Sequence, residues 1–338
     1  MTSDATIPVQ PLRVAVIGLG RVGDLHARAI AASEHATLTA VCDSDPKHRQ
    51  AAGDRFGVAA YESVERLLAG ESLDAVAIAT PDHLHVEPAL AAIARGCHVF
   101  CEKPLAANAD EAARIVEAAQ RRGVWLGVDY NRRFAFGYRT AKELLNAGEI
   151  GALKYCLLRV SDATPPPAVA RHRHVMFTTL LTHHLDLMRH FGGEIQRINA
   201  TSDGDPSERL MRSVSISLTF ASGAIGTIVA GYRDGQTRTA EWMELGGSAG
   251  SITVEDVTRR VIVSGLDPDC RRTLEPSHVR AGDSFYQSLT DHVQAFLANV
   301  AQRCEPPVTG RDGLISLQLA EAAIESLTTG HAVEVPAI

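Results

Sequence analysis

Residues 12–32 read LRVAVIGLGRVGDLHARAIAA, and this stretch decides the fold of the amino-terminal part of the chain. Residues 12–19 form an almost continuous apolar run, which is typical of a parallel strand buried on both faces. Apolar residues then recur at helical spacing over residues 22–32. Between them lies Gly18-Leu19-Gly20-Arg21-Val22-Gly23, so the stretch predicts a strand, a tight turn and a helix.

The same alternation continues to about residue 129. Further strands are predicted at 38–42, 75–79, 99–101 and 124–128, and further helices at 46–56, 84–95 and 109–121. Strands and helices that alternate in this way form a parallel sheet covered by helices.

The pattern changes after residue 129 to that of an α+β domain. Helices are predicted at 138–146, 178–190, 284–301 and 314–328, and strands at 214–220, 224–232, 241–245 and 261–263. Ser222-Gly223 is typical of a hairpin turn between two of these strands. We therefore predict two domains, residues 1–129 and residues 130–338, the second built on a mostly antiparallel sheet.

Composition excludes several functional classes. The 338 residues carry a net charge of -7, which argues against nucleic acid as a partner. No apolar run approaches the roughly 20 residues needed to cross a bilayer, and residues 1–10 lack the features of a secretory signal. The six cysteines include no C-x-x-C pair, which favours reduced thiols in a cytoplasmic protein.

The glycine-rich turn predicts a dinucleotide site. Gly18 makes the turn, Gly20 leaves room for a pyrophosphate, and Gly23 allows close packing of the helix on the strand. Arg21 and Val22 open the helix, whose N-terminus favours phosphate groups.

Asp43 ends the predicted second strand, twenty residues after Gly23. A carboxylate there accepts hydrogen bonds from ribose hydroxyls and repels a 2′-phosphate, which favours NAD over NADP. Lys47 and Arg49 are close enough in the sequence to keep NADP open as an alternative.

Lys103 follows the strand predicted at 99–101, in Cys101-Glu102-Lys103-Pro104. Ligands of such sheets bind beyond the carboxyl ends of the strands. An ammonium at this point can hydrogen-bond a substrate hydroxyl and stabilise negative charge during hydride removal.

Several motifs in order resemble the glucose–fructose oxidoreductase / inositol dehydrogenase / rhizopine catabolism (Gfo/Idh/MocA) family. They are the glycine turn followed by His26, Thr80-Pro81-Asp82-His83-Leu84-His85, the Glu102-Lys103-Pro104 segment, Asn131-Arg132-Arg133-Phe134, Gly148-Glu149-Ile150-Gly151 and residues 312–330. The resemblance implies a doubly wound Rossmann domain, an open-faced antiparallel-sheet domain, and assembly as a homodimer or homotetramer.

The resemblance also implies roles for residues of the first domain. Lys103 matches the catalytic lysine of the family. Glu102 and the Thr80-Pro81 loop match residues near the nicotinamide and its ribose. His85 matches a histidine whose role is either structural or catalytic. Both His85 and Lys103 are also predicted to contact the cofactor.

Thr179-Leu180-Leu181-Thr182-His183-His184-Leu185-Asp186 resembles the second active-site segment of the family. His183 would exchange a proton with the substrate hydroxyl, and Asp186, one helical turn away, would orient it or bind a hydroxyl. Many sugar and inositol members carry an aspartate where this chain has Thr179. Either the substrate lacks the matching hydroxyl, or His172 or His174 contributes instead, while Arg171 belongs to a basic loop suited to an anionic substrate.

The predicted function is hydride transfer between NAD and a carbinol carbon of a small polyhydroxylated substrate, namely a sugar, a sugar derivative or a cyclitol. Two alternatives from other classes are a catalytically silent dinucleotide sensor and a redox-neutral hydrolase that uses bound NAD transiently. No metal ion is expected, although the second-domain histidines offer a competing metal site. The open face of the second sheet, with residues such as Ile216, Leu218, Ile225 and Ile228, is expected to pack on helices or on a second subunit.

Overall fold

The structure is a computed structural model that describes residues 10–165, 174–203, 210–237, 239–255, 257, 259–267, 269–276 and 283–336. The chain forms two compact units. The first contains Met1–Asp129 and Leu289–Arg311, and the second contains Tyr130–Ser288 and Asp312–Ile338.

The first unit is a six-stranded parallel sheet with helices between its strands. Its strands are β1 (Leu12–Ile17), β2 (Ala36–Cys42), β3 (Ala59–Tyr61), β4 (Ala75–Ile78), β5 (His98–Cys101) and β6 (Leu126–Val128). Its helices are α1 (Arg21–Ala31), α2 (Pro46–Phe56), α3 (Val64–Gly70), α4 (Val86–Ala94) and α5 (Ala109–Arg122). The strand order β3-β2-β1-β4-β5-β6 is that of a doubly wound dinucleotide-binding fold, which confirms the predicted class.

Local sequence signals start the helices of this unit. Asp45 accepts a hydrogen bond from the Lys47 backbone at the start of α2, and Pro46 occupies the first turn. Asn108 caps α5 by accepting from the Glu111 backbone at 2.9 Å. These caps place the helices that cover the sheet.

The second unit is a nine-stranded sheet with helices on one face. Its first elements are α6 (Phe136–Asn146), β7 (Leu153–Ala163), a π-helical segment (Met176–Leu181) and α7 (Thr182–Gly192). They are followed by β8 (Ile195–Ser202), β9 (Ser213–Phe220), β10 (Ile225–Arg233), β11 (Ala240–Gly247), β12 (Gly250–Glu255), β13 (Arg260–Gly265) and β14 (Arg271–Leu274). Farther along the chain lie α8 (Asp283–Ala301), α9 (Gly310–Thr329) and β15 (Val333–Glu334).

The order of this sheet is β14-β13-β12-β11-β7-β10-β9-β8-β15. Among the described strand pairs of this sheet, only β7 and β10 are parallel, which confirms the prediction of a mostly antiparallel sheet.

Ile216, Leu218 and Ile228 lie on the buried face of this sheet, whereas Ile225 is 59% exposed on the opposite face. The expectation that these four side chains share one open face was therefore wrong, because strand alternation separates them.

Most of α8 belongs to the first unit. Its apolar side chains pack in one core with Ile30 of α1 and Phe100 of β5; they are Leu289, Val293, Phe296, Leu297 and Val300. The sequence-based division into residues 1–129 and 130–338 does not include this return, because an apolar helix face does not reveal which core it joins. No helix in the described part of the chain is both long enough and apolar enough to span a membrane.

Candidate active site

A cavity of about 790 Å³ lies at the carboxyl ends of β1, β2 and β4 in the first unit. Seven residues predicted to bind a cofactor line it, namely Gly18, Gly20, Arg21, Val22, Asp43, Thr80 and Pro81. The cavity therefore occupies the place where ligands of doubly wound sheets bind.

The three glycines of the turn have different reasons to lack a side chain. Gly18 has a φ of +88°, and a Cβ there would lie 2.6 Å from the Ala79 carbonyl carbon. A Cβ on Gly23 would lie 1.8 Å from the Gly18 carbonyl oxygen, so Gly23 serves the packing of α1 on the strand. A Cβ on Gly20 would meet no atom within 4 Å. Gly20 therefore leaves space in the cavity itself.

Asp43 is anchored by the backbone. Its Oδ2 accepts from the Leu19 N–H of the glycine turn at 2.6 Å, and its Oδ1 accepts from the Asp45 N–H at 2.8 Å. Each carboxylate oxygen retains a lone pair for a further donor. Arg49 donates to the Asp43 and Ser44 carbonyl oxygens, and neither Arg49 nor Lys47 lines the cavity. This arrangement suits two ribose hydroxyls better than a 2′-phosphate.

Four residues predicted to bind the cofactor do not line the cavity: Gly23, His85, Glu102 and Lys103. His85 is 1% exposed, with Nδ1 2.9 Å from the Pro104 carbonyl oxygen and Nε2 2.8 Å from the Thr80 carbonyl oxygen. Burial lowers its pKa. His85 therefore ties the Thr80 loop to the segment that carries Lys103, which is a structural role.

Sequence reasoning missed part of the lining. Ser44, His48 and Ser63 face the cavity, as does Leu84, which is 50% exposed. Leu84 lies within a motif already singled out, but only the structure shows that its side chain is exposed at the cavity. His48 follows Pro46 in the first turn of α2, and its sequence context carries no signal of a ligand contact.

Lys103 stands two residues beyond the end of β5 and is half-buried. Its backbone N–H donates to Oε2 of Glu102 at 3.1 Å. In the sheet, β5 lies two places from β1, so Lys103 follows a strand on the same carboxyl edge as the glycine turn.

His183 lies in the first turn of α7, directly after the π-helical segment. Such segments are rare and frequently occur at functional sites. His183 is 7% exposed, and its ring packs edge-on against Tyr130 at a centroid distance of 5.6 Å.

Two consecutive arginines hold the helix that carries His183. Arg133 forms a salt bridge with Asp186 of α7. Arg132 lies 2.6 Å from Glu241, which in turn faces His184 of α7 at 3.3 Å. His184 and Asp186, which follow His183 on α7, are thereby each held by a contact with a charged side chain. Arg133 engages both oxygens of Asp186, and the two predicted roles of Asp186, orienting His183 and binding a substrate hydroxyl, both stay predictions.

Thr179 is half-buried in the π-helical segment. Its hydroxyl donates to the Val175 carbonyl oxygen at 2.6 Å, and it is hydrogen-bonded to the side chain of Tyr232. Burial raises the pKa of Tyr232 to about 12, against the effect of Thr179. The position that differs from many sugar and inositol members is therefore a neutral hydroxyl pair.

His174, a further predicted substrate residue, lies two residues before this segment. His174 is half-buried, with its ring 6.4 Å from that of Phe177. Arg171 and His172 lie outside the described residues. In the part of the chain that is described, the second unit contains no group of three metal-ligating side chains close together.

Together, the fold and the cavity define a dinucleotide-binding class of protein, and comparison with known proteins identifies it as an oxidoreductase class. A model of the oxidoreductase family with an NAD-binding Rossmann fold matches residues 12–130, and a Gfo/Idh/MocA C-terminal domain model matches residues 138–253. The chain belongs to the Gfo/Idh/MocA family, as the sequence motifs predicted.

Relatives match along almost the whole chain. Myo-inositol 2-dehydrogenase of Thermotoga maritima is 29% identical over 96% of this chain and 98% of its own length. Inositol 2-dehydrogenase of Rhizobium meliloti is 26% identical over 94% and 97%, respectively. The crystal structure of a probable dehydrogenase from Thermotoga maritima superposes on this chain with a TM-score of 0.83 and is 28% identical in sequence. The match covers 96% of this chain and 98% of that chain.

The cavity fits the dinucleotide that the family binds. The space beside Gly20 accommodates a pyrophosphate, the first turn of α1 faces the same cavity, and Asp43 offers acceptors for ribose hydroxyls. The first unit therefore binds NAD.

Proposed function

We propose that this protein transfers a hydride between NAD and a carbinol carbon of a sugar, a sugar derivative or a cyclitol. One observation carries the proposal: the NAD cavity and Lys103 lie at the carboxyl ends of strands of the same sheet. The relatives named as inositol dehydrogenases support this substrate class.

The protein's own task in this reaction is to move a proton. When bound, NAD supplies the hydride acceptor. Lys103 hydrogen-bonds the reacting hydroxyl and stabilises negative charge on its oxygen. His183 takes the hydroxyl proton in oxidation and returns it in reduction, a role that suits an imidazole near neutral pH.

Substrate recognition is assigned to the segment before His183. We propose that Thr179 and His174 contact hydroxyl groups of the substrate, with Arg171 as a further contact. A hydroxyl pair at Thr179 and Tyr232 binds a neutral polyol without placing an extra negative charge beside it.

Replacement of each proton-handling residue tests the proposal. Lys103→Ala and His183→Ala are each expected to lower kcat by at least about 100-fold. The Kd for NAD should stay within about threefold of wild type, because neither side chain lines the cavity. Activity is followed by the absorbance of NADH with myo-inositol and D-glucose as probe substrates. Lys47→Ala is the matched control, since Lys47 is exposed on α2. Wild-type kcat in Lys103→Ala would remove that residue from the mechanism.

The dehydrogenase names of the relatives favour turnover over a silent sensor. A sensor would bind NAD tightly and show no substrate-dependent absorbance change in a wider screen of sugars and polyols. The same screen therefore separates the two functions.

We propose that the protein assembles as a homodimer or homotetramer through the exposed face of the second sheet. Four large apolar side chains are exposed there on the adjacent strands β7 and β10: Tyr155, Leu157, Ile225 and Val229. Ile225→Glu is expected to shift the mass measured by light scattering to that of a monomer.

We propose a cytoplasmic location, where thiols stay reduced. All six cysteines are free; Cys42, Cys97, Cys101 and Cys156 are buried, and Cys270 and Cys304 are exposed. Fractionation of cells that express the protein, followed by immunodetection, tests this location.

A further inference from the structure

Four titratable side chains form a cluster in the first unit that the proposed reaction does not use: His26, Glu102, Asp129 and His292. His26, Asp129 and His292 are at most 2% exposed, and the Glu102 side chain is 16% exposed. None of the four lines the NAD cavity. They come from α1, the end of β5, the end of β6 and α8.

Asp129 lies between the two imidazole rings. Its Oδ2 is 3.1 Å from Nε2 of His26, and its Oδ1 is 2.8 Å from Nδ1 of His292. Because an ionised carboxylate only accepts hydrogen bonds, each of these ring nitrogens carries a proton. Phe100 packs edge-on against both rings, at 5.4 Å and 5.0 Å, and fixes their orientation.

Glu102 connects this cluster to Lys103. Its Oε1 lies 3.5 Å from the same Nε2 of His26, and its Oε2 accepts the backbone N–H of Lys103. The contacts therefore run from Asp129 through His26 and Glu102 to the main chain of Lys103.

The charges explain why a histidine is needed at this point. Two carboxylates face one ring nitrogen, and they repel each other unless a positive charge lies between them. Burial alone lowers the pKa of His26, but the hydrogen bonds to Asp129 and Glu102 outweigh it and raise the pKa to about 9. The pKa of Glu102 is raised overall, because burial and the Asp129 charge outweigh the opposing effects of His26 and Lys103. The imidazolium thus opposes protonation of Glu102.

The Cys101 thiol, which lies next to Glu102 in the chain, does not add a charge to the cluster. Burial and the two carboxylates raise the pKa of the Cys101 thiol, so it stays neutral. One nitrogen or oxygen atom from each of His26, Glu102 and Asp129 lies within 4.8 Å of the other two.

We propose that His26 is a positioning residue for Lys103 and acts through Glu102. It keeps Glu102 ionised and oriented, and Glu102 in turn fixes the main chain and the charge state of Lys103. The inference rests on the proposed catalytic role of Lys103.

The charge state of Lys103 gives a direct test. In His26→Gln the amide still donates to Asp129, but the positive charge is lost. Glu102 then takes up a proton, Lys103 loses its neighbouring anion, and the pKa of Lys103 falls by about one unit. The chain contains only Lys47, Lys103, Lys142 and Lys154, so ¹³Cε NMR of labelled lysine resolves this titration, with Lys103→Arg assigning the signal. An unchanged or raised Lys103 pKa would overturn the proposal.

Two further variants keep the test decisive. Glu102→Gln removes the same anion while leaving the His26–Asp129 pair intact. It is also expected to lower the pKa of Lys103, and this result can be measured even if His26→Gln folds poorly. In the double variant, His26→Gln should cause little further shift, because its effect passes through Glu102. Additive shifts would contradict this route.

His292→Gln is the matched control, because His292 is equally buried and binds the other oxygen of Asp129. It is expected to lower the melting temperature without shifting the Lys103 titration.

In activity assays with myo-inositol, His26→Gln should lower kcat about tenfold and move the pH profile of kcat to lower pH. If Lys103→Ala keeps wild-type kcat, the catalytic role proposed for Lys103 fails; if only the NMR shift is missing, the positioning role of His26 alone fails.

Discussion

Arg133 and Asp186 form a bidentate salt bridge, in which Nε donates to Oδ2 at 2.8 Å and Nη2 donates to Oδ1 at 2.5 Å. Asp186 is 1% exposed. Arg133 also contacts Asp312 at 3.2 Å, and Asp312 binds Arg189 at 2.6 Å. Since Asp186 and Arg189 both belong to α7, this network holds the helix that presents His183.

Asp186→Asn removes the bidentate partner of the buried Arg133 guanidinium and leaves Asp312 as its remaining carboxylate. We expect a loss of about 2 kcal/mol in the free energy of unfolding, measured by urea denaturation. Glu194→Gln is the control: its side chain is 57% exposed beside Arg189, so we expect a loss below about 0.5 kcal/mol. A raised KM with unchanged stability in Asp186→Asn would instead indicate that Asp186 binds substrate.

Gly20→Ala is expected to weaken NADH binding, and Gly23→Ala is expected to lower the stability of the fold. A Cβ on Gly20 enters open space in the cavity, so folding is retained while the Kd for NADH rises at least about tenfold. A Cβ on Gly23 collides with the Gly18 carbonyl oxygen, so we expect a loss of stability of about 3 kcal/mol or more. NADH fluorescence titration and thermal unfolding measure the two quantities. Equal loss of stability in both variants would refute the distinction between them.

Asp43→Asn removes the charge that excludes a 2′-phosphate. We expect affinity for NADH to fall and affinity for NADPH to rise, so that their ratio changes about tenfold or more. Asp45→Asn is the control, because Asp45 is exposed, caps α2 and does not line the cavity. An equal loss for NADH and NADPH in Asp43→Asn would contradict the ribose assignment.

Glu241 makes stability depend on pH. Burial alone raises its pKa, but Arg132, His184 and Tyr138 outweigh burial and lower the pKa from 4.5 to about 2. Its contribution, on the order of 3 kcal/mol, is full above about pH 4.5 and is lost as the pH falls through 2. Wild type should therefore exceed Glu241→Gln in urea stability at pH 7, and the difference should shrink towards pH 2. A pH-independent difference would show that the Glu241 charge does not contribute.

Local patterns were sufficient for five of the six strands of the parallel sheet and for its glycine turn. Apolar runs, helical spacing and caps such as Asp45 and Asn108 act over a few residues, so they are visible in sequence order. β3 and β14 were not predicted, since they are short and largely exposed. In β7, exposed Tyr155 and Leu157 interrupt the apolar–polar alternation that would have marked a half-buried strand.

The sequence by itself determined the doubly wound class, the place of the NAD cavity and the candidates Asp43, Lys103 and His183, because each follows a strand or opens a helix. Only the tertiary structure decided which charges pair: His26 and Asp129 are 103 residues apart, and Asp129 and His292 are 163 apart. Such pairs depend on which elements pack together, and a buried carboxylate looks the same in sequence whether it meets substrate, an arginine or a histidine.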